Sequence, residues 1–491
     1  MRASRFTFVV LGSSTLLVTT ALPASAYPYA VEPPVLASGP SPFAGCTVGA
    51  FDENSINYPN TEVEPFVAVN PTNPDNVIGV FQQDRWSDGG AHGLVASSSL
   101  DGGNTWDESF AAFSECAGGP DVYDRASDPW VTFDTEGNAY QISLSISADQ
   151  VTSSILVSKS TNKGASWDPP VTLIRDDNPI NFNDKESITG DPTRPGYVYA
   201  VWDRGSFPGG GSPTSEAHSF AYRGQPIFSR TTDGGATWSE PVVMNRSNIF
   251  TLGNQIAVLP NGTLVDVFWA GRGSGVQPSP NQDFIGVMLS TDAGLHWSQI
   301  IKIDNFAELP GCGPERICDP DTGDPVRAGT NIPDIAVDPA SGRVYVVWAD
   351  GRFSGGDHPD VVISSSTDGR RWTEPVKVNQ TPVPAAAFNA AVDVSSDGTV
   401  GVLYYDFREN TPAAGLPTTV FLAHSHDAGA TWAEQRLDGV FDMEHAPFAR
   451  GLFLGDYQGL DNIGPDFLAF FARTTSAENS ADVVAVRASA P

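Results

Sequence analysis

Short apolar runs alternate with turns rich in Gly, Pro and Asp along most of the chain, and this pattern predicts β-strands. The runs are rich in Val, Ile, Phe, Tyr and Trp, the residue types that fit a pleated surface. Six strands that each open a repeating unit are predicted at 65–69, 129–133, 186–189, 255–259, 334–337 and 390–394. A second strand follows each of them at 77–81, 139–144, 197–202, 264–269, 344–348 and 400–405. No segment has the pattern of an amphipathic helix, so the chain is predicted to be all-β.

A turn motif, S-x-D-x-G-x-x-W, recurs after the third strand of the units. In such a turn the Asp carboxylate accepts hydrogen bonds from backbone N–H groups, and Gly supplies the positive φ that a tight hairpin needs. The Trp that follows is placed to pack on a neighbouring sheet, so the motif is expected to stabilise the fold. Copies stand at 99–106, 231–238, 290–297 and 425–432, with Asn162 in place of Asp in 160–167 and a shortened copy at 366–372.

This motif is the Asp box, and the chain resembles the sialidase superfamily of β-propellers over nearly all of its length after the leader. The resemblance implies a propeller whose Asp boxes lie on the face opposite the active site. Six units carry the box, and a seventh spans 455–487 without one. Seven blades are therefore expected, with six as the alternative. Because an unpaired sheet edge invites association, the segment after Cys46 is expected to complete the last blade, closing the ring with strands from both termini.

The N-terminal residues predict a signal peptide followed by an extended leader. Residues 1–26 carry Arg2 and Arg5, an apolar run and Ala24-Ser-Ala26, which is typical of a secretory signal peptide. Residues 27–45 hold five prolines and are expected to be an extended leader, and 46–491 are expected to form a single propeller domain. We therefore expect a secreted, extracellular protein.

The net charge indicates which classes of partner are excluded, and the cysteines predict disulfides. The 58 acidic and 27 basic residues give a net charge of −31, which argues against nucleic acid and anionic membranes as partners. Four cysteines in an exported chain predict two disulfides. Cys312 and Cys318 are close enough to close one loop, which leaves Cys46 and Cys116 as the long-range pair.

Arginine recurs just after the second strand of five units. The positions are Arg85, Arg204, Arg272, Arg352 and Arg408. In a propeller these loops open around the central channel, where the planar guanidinium groups could bind the carboxylate of an anionic glycan. The alternative, which repetition favours for most of them, is that each pairs with a nearby acidic residue and ties blades together.

The resemblance to sialidases implies specific roles. Arg85, Arg272 and Arg352 take the places of an arginine triad for the sugar carboxylate. Asp88, ahead of the first Asp box, is placed like the acid/base, and Tyr457 like the nucleophile.

The sequence departs from the sialidase pattern at two places. Glu64-Pro-Phe66 stands where an F-R-I-P type motif supplies an arginine, and Gly253-Asn254 where a glutamate assists the tyrosine. A phenol with a pKa near 10 needs such a base to act as a nucleophile, and Glu186 is the substitute considered.

The expected function is that of a secreted glycosidase, an exo-α-sialidase in its most specific form. Alternatives are another propeller glycosidase or lyase acting on arabinan, rhamnoside or uronate, and a propeller that binds glycans or proteins without catalysis. A monomer that needs no cofactor is expected, with an anionic glycan or polysaccharide as partner. Asp319, Asp321 and Asp324 are spaced like a loose calcium loop but lack the closing Glu of an EF-hand, so they are a weak candidate for structural calcium.

Overall fold

The computed structural model describes residues 28–206, 223–247, 249–272, 283–307, 309, 312 and 316–491, and the expected signal peptide lies outside them. Within these ranges the chain is built from β-strands, with one 3-10 turn at Met443–His445. The strands of the first half are Ala30–Val31 (β1), Val35–Leu36 (β2), Glu62–Val69 (β3), Val77–Arg85 (β4), Ala91–Ser99 (β5), Asp107–Ser109 (β6), Arg125–Phe133 (β7), Ala139–Ile146 (β8), Thr152–Ser160 (β9), Val171–Asp177 (β10), Asn181–Gly190 (β11), Val198–Ser206 (β12), Arg223–Thr231 (β13) and Val242–Val243 (β14). Those of the second half are Ile249–Val258 (β15), Leu264–Arg272 (β16), Phe284–Ser290 (β17), Ile301–Asn305 (β18), Arg316–Cys318 (β19), Pro325–Arg327 (β20), Asp334–Val337 (β21), Val344–Asp350 (β22), Asp360–Ser366 (β23), Val376–Lys377 (β24), Ala387–Val394 (β25), Val400–Asp406 (β26), Pro417–Ser425 (β27), Ala433–Arg436 (β28), Phe441–Asp442 (β29), Leu452–Phe453 (β30), Gly459–Ile463 (β31), Asp466–Thr474 (β32) and Ala481–Ser489 (β33).

Consecutive strands pair antiparallel in four-stranded meanders, an arrangement consistent with a β-propeller. The meanders are β3–β6, β7–β10, β11–β14, β15–β18, β21–β24 and β25–β28, and a single pairing, Ala91 with Ala126, joins the first two. The small β19, β20 and β30 form a separate sheet in which β20 and β30 run parallel.

Strands from both ends of the chain share the last sheet. β31, β32 and β33 pair in order, and the N-terminal β1 and β2 both pair with β33, at Ala30 with Ser489 and Val35 with Ala485. The segment after Cys46 was expected to supply this edge, and that expectation is wrong. The edge comes from the Pro-rich segment before Cys46, because two short stretches between its prolines are free to extend and satisfy the N–H and C=O groups of β33.

The Asp boxes act on the fold as their chemistry predicts. Asp101 Oδ1 accepts the N–H of Thr105 at 2.9 Å, and the Trp106 indole N–H donates to the Gly103 carbonyl at 3.0 Å. The Trp106 ring packs on Phe470 of the adjacent sheet with centroids 5.5 Å apart. The motif therefore joins a closed turn to the contact between neighbouring sheets.

The first strand of five meanders contains a β-bulge, and this feature positions the site. The pairing register shifts between residues 63 and 66, 127 and 130, 184 and 187, 252 and 255, and 388 and 391. A bulge leaves one residue unpaired and re-aims its side chain. The residue with positive φ at each bulge is Glu64, Asp128, Lys185, Gly253 or Asn389. All five bulged strands begin 3 to 6 residues earlier than the sequence predicted, because the apolar pattern is readable only after the bulge.

Candidate functional site

Three of the bulges bring charged side chains together in a buried ion network. The Lys185 ammonium lies 2.7 Å from Asp456 Oδ2, 3.1 Å from Asp128 Oδ1 and 3.2 Å from Glu64 Oε1. Arg327 donates to the same carboxylate, with Nε 2.9 Å from Asp456 Oδ1. Buried charges persist when each is paired and hydrogen-bonded, and here two cations share three carboxylates.

The network shifts the two carboxyl groups at its ends in opposite directions. Burial alone would raise the pKa of Asp456, but the charges of Arg327 and Lys185 hold it well below its ordinary value. Burial raises the pKa of Glu64 to about 7, and the negative charges of Asp128 and Asp456 add to this effect while Lys185 opposes it. Glu64 is therefore the member of the network that takes up a proton most readily near neutral pH.

A cavity of about 520 Å³ opens over this network. Its apolar wall includes Phe51 and Phe182, and its acidic lining residues include Asp88 and Asp184. Four cationic residues also line it: Arg85, Lys185, Arg327 and Arg450. A cavity of this size, lined by apolar and by many charged side chains, suits a polar ligand of monosaccharide size.

Arg85 is the cation whose surroundings point most directly to a ligand. It is 2% exposed, its Nη1 donates to Gln82 Oε1 at 2.6 Å, and its Nε has no hydrogen-bond partner in the described part of the chain. Within the described ranges no ion pair joins Arg85 to a carboxylate. Burial lowers the pKa of Arg85 to about 10, and the nearby Arg327 contributes, so the group stays charged at neutral pH.

Asp88 lies in the turn between β4 and β5, at the wall of the cavity. Its side chain is 34% exposed, and Oδ1 accepts a hydrogen bond from Arg125 Nη1 at 2.6 Å. The Ser55 hydroxyl donates to Oδ2. The structure thus brings two sequence-predicted residues, Asp88 and Arg85, to the same cavity.

Three other predicted arginines lie in ion pairs and do not line this cavity. Arg204 pairs with Asp176, Arg352 with Asp350 and Asp304, and Arg408 with Asp406 and Glu434. These ion pairs agree with the alternative given by the sequence, in which each arginine pairs with a nearby acidic residue. The backbone of Arg272 ends β16 and pairs with Ile249, whereas its side chain lies outside the described part of the chain.

Tyr457 and Glu186 are buried and are not among the residues that line this cavity. The Tyr457 hydroxyl donates to the Pro129 carbonyl at 3.2 Å, and the side chain is 7% exposed. Burial raises the pKa of Tyr457 well above 10, and the charges of Glu64, Asp128 and Glu186 raise it further. Glu186 is 3% exposed, and neither of its carboxyl oxygens has a hydrogen-bond partner among the residues that the structure describes. Burial and the nearby Asp128 raise its pKa well above the ordinary value.

Both predicted disulfides are present. Cys46 is bonded to Cys116 and Cys312 to Cys318. In the described part of the chain no helix is long and apolar enough to cross a membrane.

The three aspartates considered for calcium do not form a binding group. Asp319 Oδ1 accepts the backbone N–H of Asp321 at 2.8 Å, while Asp321 Oδ2 accepts the Asn410 amide at 2.7 Å. Across the described residues, no three His, Cys, Asp or Glu side chains are arranged to hold a metal ion.

Sequence reasoning missed the residues that complete the site: Glu64, Asp128, Lys185, Arg327, Arg450 and Asp456. A local signal exists for two of them, because Glu64-Pro-Phe66 and Asp128-Pro-Trp130 repeat an acidic residue, Pro and an aromatic at the bulge. Arg327 and Arg450 follow no repeat, since they lie in the segments around β20 and β30 that depart from the meander pattern.

Comparisons with known proteins return structural neighbours. No protein-family model and no curated protein matches the chain. A Hadza microbial sialidase aligns at 16% identity with a TM-score of 0.48, over 84% of this chain and 73% of that one. A Penicillium chrysogenum α-L-arabinanase complexed with arabinobiose aligns at 12% identity with a TM-score of 0.47, over 93% of this chain and 98% of that one. A Trypanosoma rangeli sialidase aligns at 13% identity with a TM-score of 0.42, over 89% of this chain and 59% of that one. The solved structures similar to this chain thus include sialidases and an arabinanase.

Proposed function

We propose that the chain is a secreted glycoside hydrolase of the sialidase superfamily, an exo-α-sialidase that releases terminal sialic acids. The observation that carries the proposal is the buried, charged Arg85, which lines the cavity without a carboxylate partner among the described residues. A sugar carboxylate entering the cavity would give the guanidinium the anion it lacks, through charge-assisted hydrogen bonds. Arg327 and Arg450 line the same cavity and add to its attraction for an anion.

Asp88 is the proposed proton donor to the glycosidic oxygen. It lies on the same cavity as Arg85, and its side chain reaches solvent, so a proton can be exchanged there. As the bond between the anomeric carbon and the leaving oxygen breaks, Asp88 supplies the proton that the leaving group needs, and water later adds to the anomeric carbon.

Tyr457 is proposed to stabilise or trap the positively charged sugar, with Glu186 as its base. The two carboxyl oxygens of Glu186 have no hydrogen-bond partner among the described residues, and because burial raises the pKa of this group it must lose its own proton before it takes that of Tyr457. The step requires the phenol O–H to leave the Pro129 carbonyl to which it donates. The proposed hydrolysis uses side chains and water alone.

We further propose that the meanders form seven blades and that the protein is exported. The six meanders and the sheet shared by β1, β2 and β31–β33 support the blade count. The two disulfides support an oxidising compartment, in agreement with the expected signal peptide at 1–26.

The test is release of 4-methylumbelliferone from its α-sialoside by the purified chain that begins after residue 26. We expect the wild type to turn over this substrate. We expect Asp88→Ala to lose turnover of a sialoside with a poor leaving group, which depends on the proton that Asp88 supplies. Absence of turnover on every sialoside would contradict the proposal. Arabinan, rhamnoside and uronate substrates are assayed in parallel, and a lyase would be revealed by an unsaturated product that absorbs in the near ultraviolet.

A glycan-binding propeller without catalysis is the second candidate. The buried position of Tyr457, bonded to a backbone carbonyl and outside the lining of the large cavity, favours it. Calorimetric binding of an anionic sugar, retained in Tyr457→Phe and lost in Arg85→Met, with no turnover of any substrate, would establish this function.

A further inference from the structure

Arg125 is buried and donates hydrogen bonds to two residues of the cavity wall, Asp88 and Gly89, while its Nη2 has no hydrogen-bond partner among the described residues. Its side chain is 0% exposed. The guanidinium carbon lies 3.4 Å from the centroid of the Phe51 ring and 4.5 Å from that of Trp86, so the group is enclosed by two aromatic rings. Such contacts stabilise a cation that has lost its water.

The hydrogen bonds of Arg125 join two separate segments of the cavity wall. Nε donates to the Gly49 carbonyl, in the segment before β3, while Nη1 donates to the Gly89 carbonyl and to Asp88 Oδ1. The two segments also contact each other directly, because the Ser87 N–H donates to the Ile56 carbonyl at 2.8 Å.

Both oxygens of the Asp88 carboxylate are engaged by this arrangement. Oδ1 accepts from Arg125 and Oδ2 from Ser55, one residue on each side of the turn. The segment that carries Ser55 is tethered to the loop after β6 by the Cys46–Cys116 disulfide. The orientation of Asp88 therefore depends on groups that come from three parts of the chain.

Packing between the two aromatic rings does not by itself require a charged side chain at position 125. Burying a cation carries a desolvation cost, and an apolar side chain of similar volume between two aromatic rings is often as stable or more stable. The groups stabilised by the charge are the Asp88 carboxylate and the carbonyls of Gly49 and Gly89.

We propose that Arg125, with Ser55, is the positioning residue of this site, which fixes the Asp88 carboxylate toward the cavity. The inference rests on the proposed function, in which Asp88 is the proton donor. Misplacement of a catalytic group by about 1 Å can cost about 100-fold in rate. Weakening the hydrogen bonds of Arg125 and Ser55 to Asp88 should therefore reduce turnover without removing any group that touches substrate.

The test compares Arg125→Lys and Ser55→Ala, each alone and combined with Asp88→Ala, with Asp88→Ala alone, on an aryl sialoside and on a sialyllactose. Arg125→Lys and Ser55→Ala are expected to lower kcat on sialyllactose by roughly 10- to 100-fold with little change in KM. Added to Asp88→Ala they should cause no further loss, because they act through that carboxylate. Arg487→Lys, which alters an arginine paired with Asp466 away from the cavity, is the matched control and should keep wild-type kinetics.

Amide hydrogen exchange tests the same inference without substrate. Arg125→Lys should speed exchange at Ser87 and across residues 86–90 by 10-fold or more, while the far strand β33 keeps its protection. Unchanged kcat in Ser55→Ala, losses that multiply with Asp88→Ala, or unchanged exchange at Ser87 would each overturn the proposal. If the wild type shows no turnover but Arg125→Lys speeds exchange as expected, the proposed sialidase activity is contradicted, whereas the role of Arg125 in holding Asp88 is supported.

Discussion

The guanidinium groups of Arg85 and Arg327 contact the same phenyl ring, with their central carbons 4.8 Å and 4.4 Å from the centroid of Phe453. Arg327 is bonded to Asp456, whereas Arg85 has no such carboxylate within the described residues. The same aromatic ring thus contacts one cation that is paired with a carboxylate and one that has no such partner among the described residues.

Arg85→Met should weaken catalysis or binding and leave the fold intact. It removes a buried charge that has no ion-pair partner among the described residues, so the thermal midpoint should change little. Loss of the hydrogen bonds to a ligand carboxylate should lower kcat/KM for a sialoside by about 10- to 100-fold. Kinetics and calorimetric unfolding measure the two effects. Arg408→Met should do the reverse, because it strips Asp406 and Glu434 of their partner at a place away from the cavity, and equal kinetic losses in both variants would contradict this reading.

Lys185→Met should destabilise the protein strongly at pH 7. It leaves Glu64, Asp128 and Asp456 buried with one cation fewer, which typically costs about 3–5 kcal/mol. Because the pKa of Glu64 is already raised to about 7, part of the loss should be recovered at pH 5 as that carboxyl is protonated.

Urea unfolding at the two pH values measures the effect of Lys185→Met. The matched control is Lys377→Met, whose ammonium pairs with Asp360 but is 28% exposed and should contribute less than about 1 kcal/mol. A similar cost for both variants would show that the central network contributes no more than an outer ion pair.

Stability should fall as the pH rises from 5 to 8. Burial raises the pKa of Asp461 to about 8, and the charge of Asp393 adds to it. The folded chain therefore holds a proton that the unfolded chain releases near pH 4, so the contribution is complete below pH 4 and is lost as the pH rises through 8. The slope is about 1.4 kcal/mol per pH unit for one proton.

Asp461→Asn tests that slope, because an amide oxygen can still accept the Val69 N–H that Asp461 Oδ2 accepts at 2.7 Å. Thermal midpoints between pH 4 and 9 should fall less steeply in Asp461→Asn than in the wild type. Asp101→Asn, in an exposed Asp box whose hydrogen bonds lower the pKa of the carboxyl despite desolvation, should keep the wild-type fall. Parallel curves for the wild type and Asp461→Asn would refute the assignment.

The two disulfides should differ in what they contribute to stability. Cys46 and Cys116 are separated by 70 residues, and Cys312 and Cys318 by 6. By loop-closure entropy, replacing the first pair by serine should cost about 4 kcal/mol and the second about 2 kcal/mol. Urea unfolding of the two double variants gives the comparison, and a larger loss from the short-range pair would contradict the prediction. The first variant should also lower turnover, because that disulfide tethers the segment carrying Ser55.

Much of the fold could be read from the sequence, because its signals are local. The Asp-box turn is encoded within eight residues, and the alternation of apolar and polar positions marks each strand. Both disulfides followed from the compartment and the spacing of four cysteines. The edge strands β1 and β2 were missed, since two-residue strands between prolines carry no periodic pattern.

The candidate site was less predictable because equivalent positions in the repeat have different neighbours. Arg85, Arg204, Arg352 and Arg408 look alike in the sequence, yet three find carboxylates nearby and Arg85 lines a cavity. Lys185 and Asp456 lie 271 residues apart, and no local signal links them.

The sequence by itself determined the class of fold, the recurring turns, the disulfides and the presence of arginines at the ends of the second strands, all of which depend on short-range hydrogen bonding and side-chain alternation. Only the tertiary structure decided which charges meet, because that depends on the bulges that turn Glu64, Asp128 and Lys185 inward and on the sheets that surround them. Burial then makes each pairing consequential, since a charge removed from water must find its partner in the protein or in a ligand.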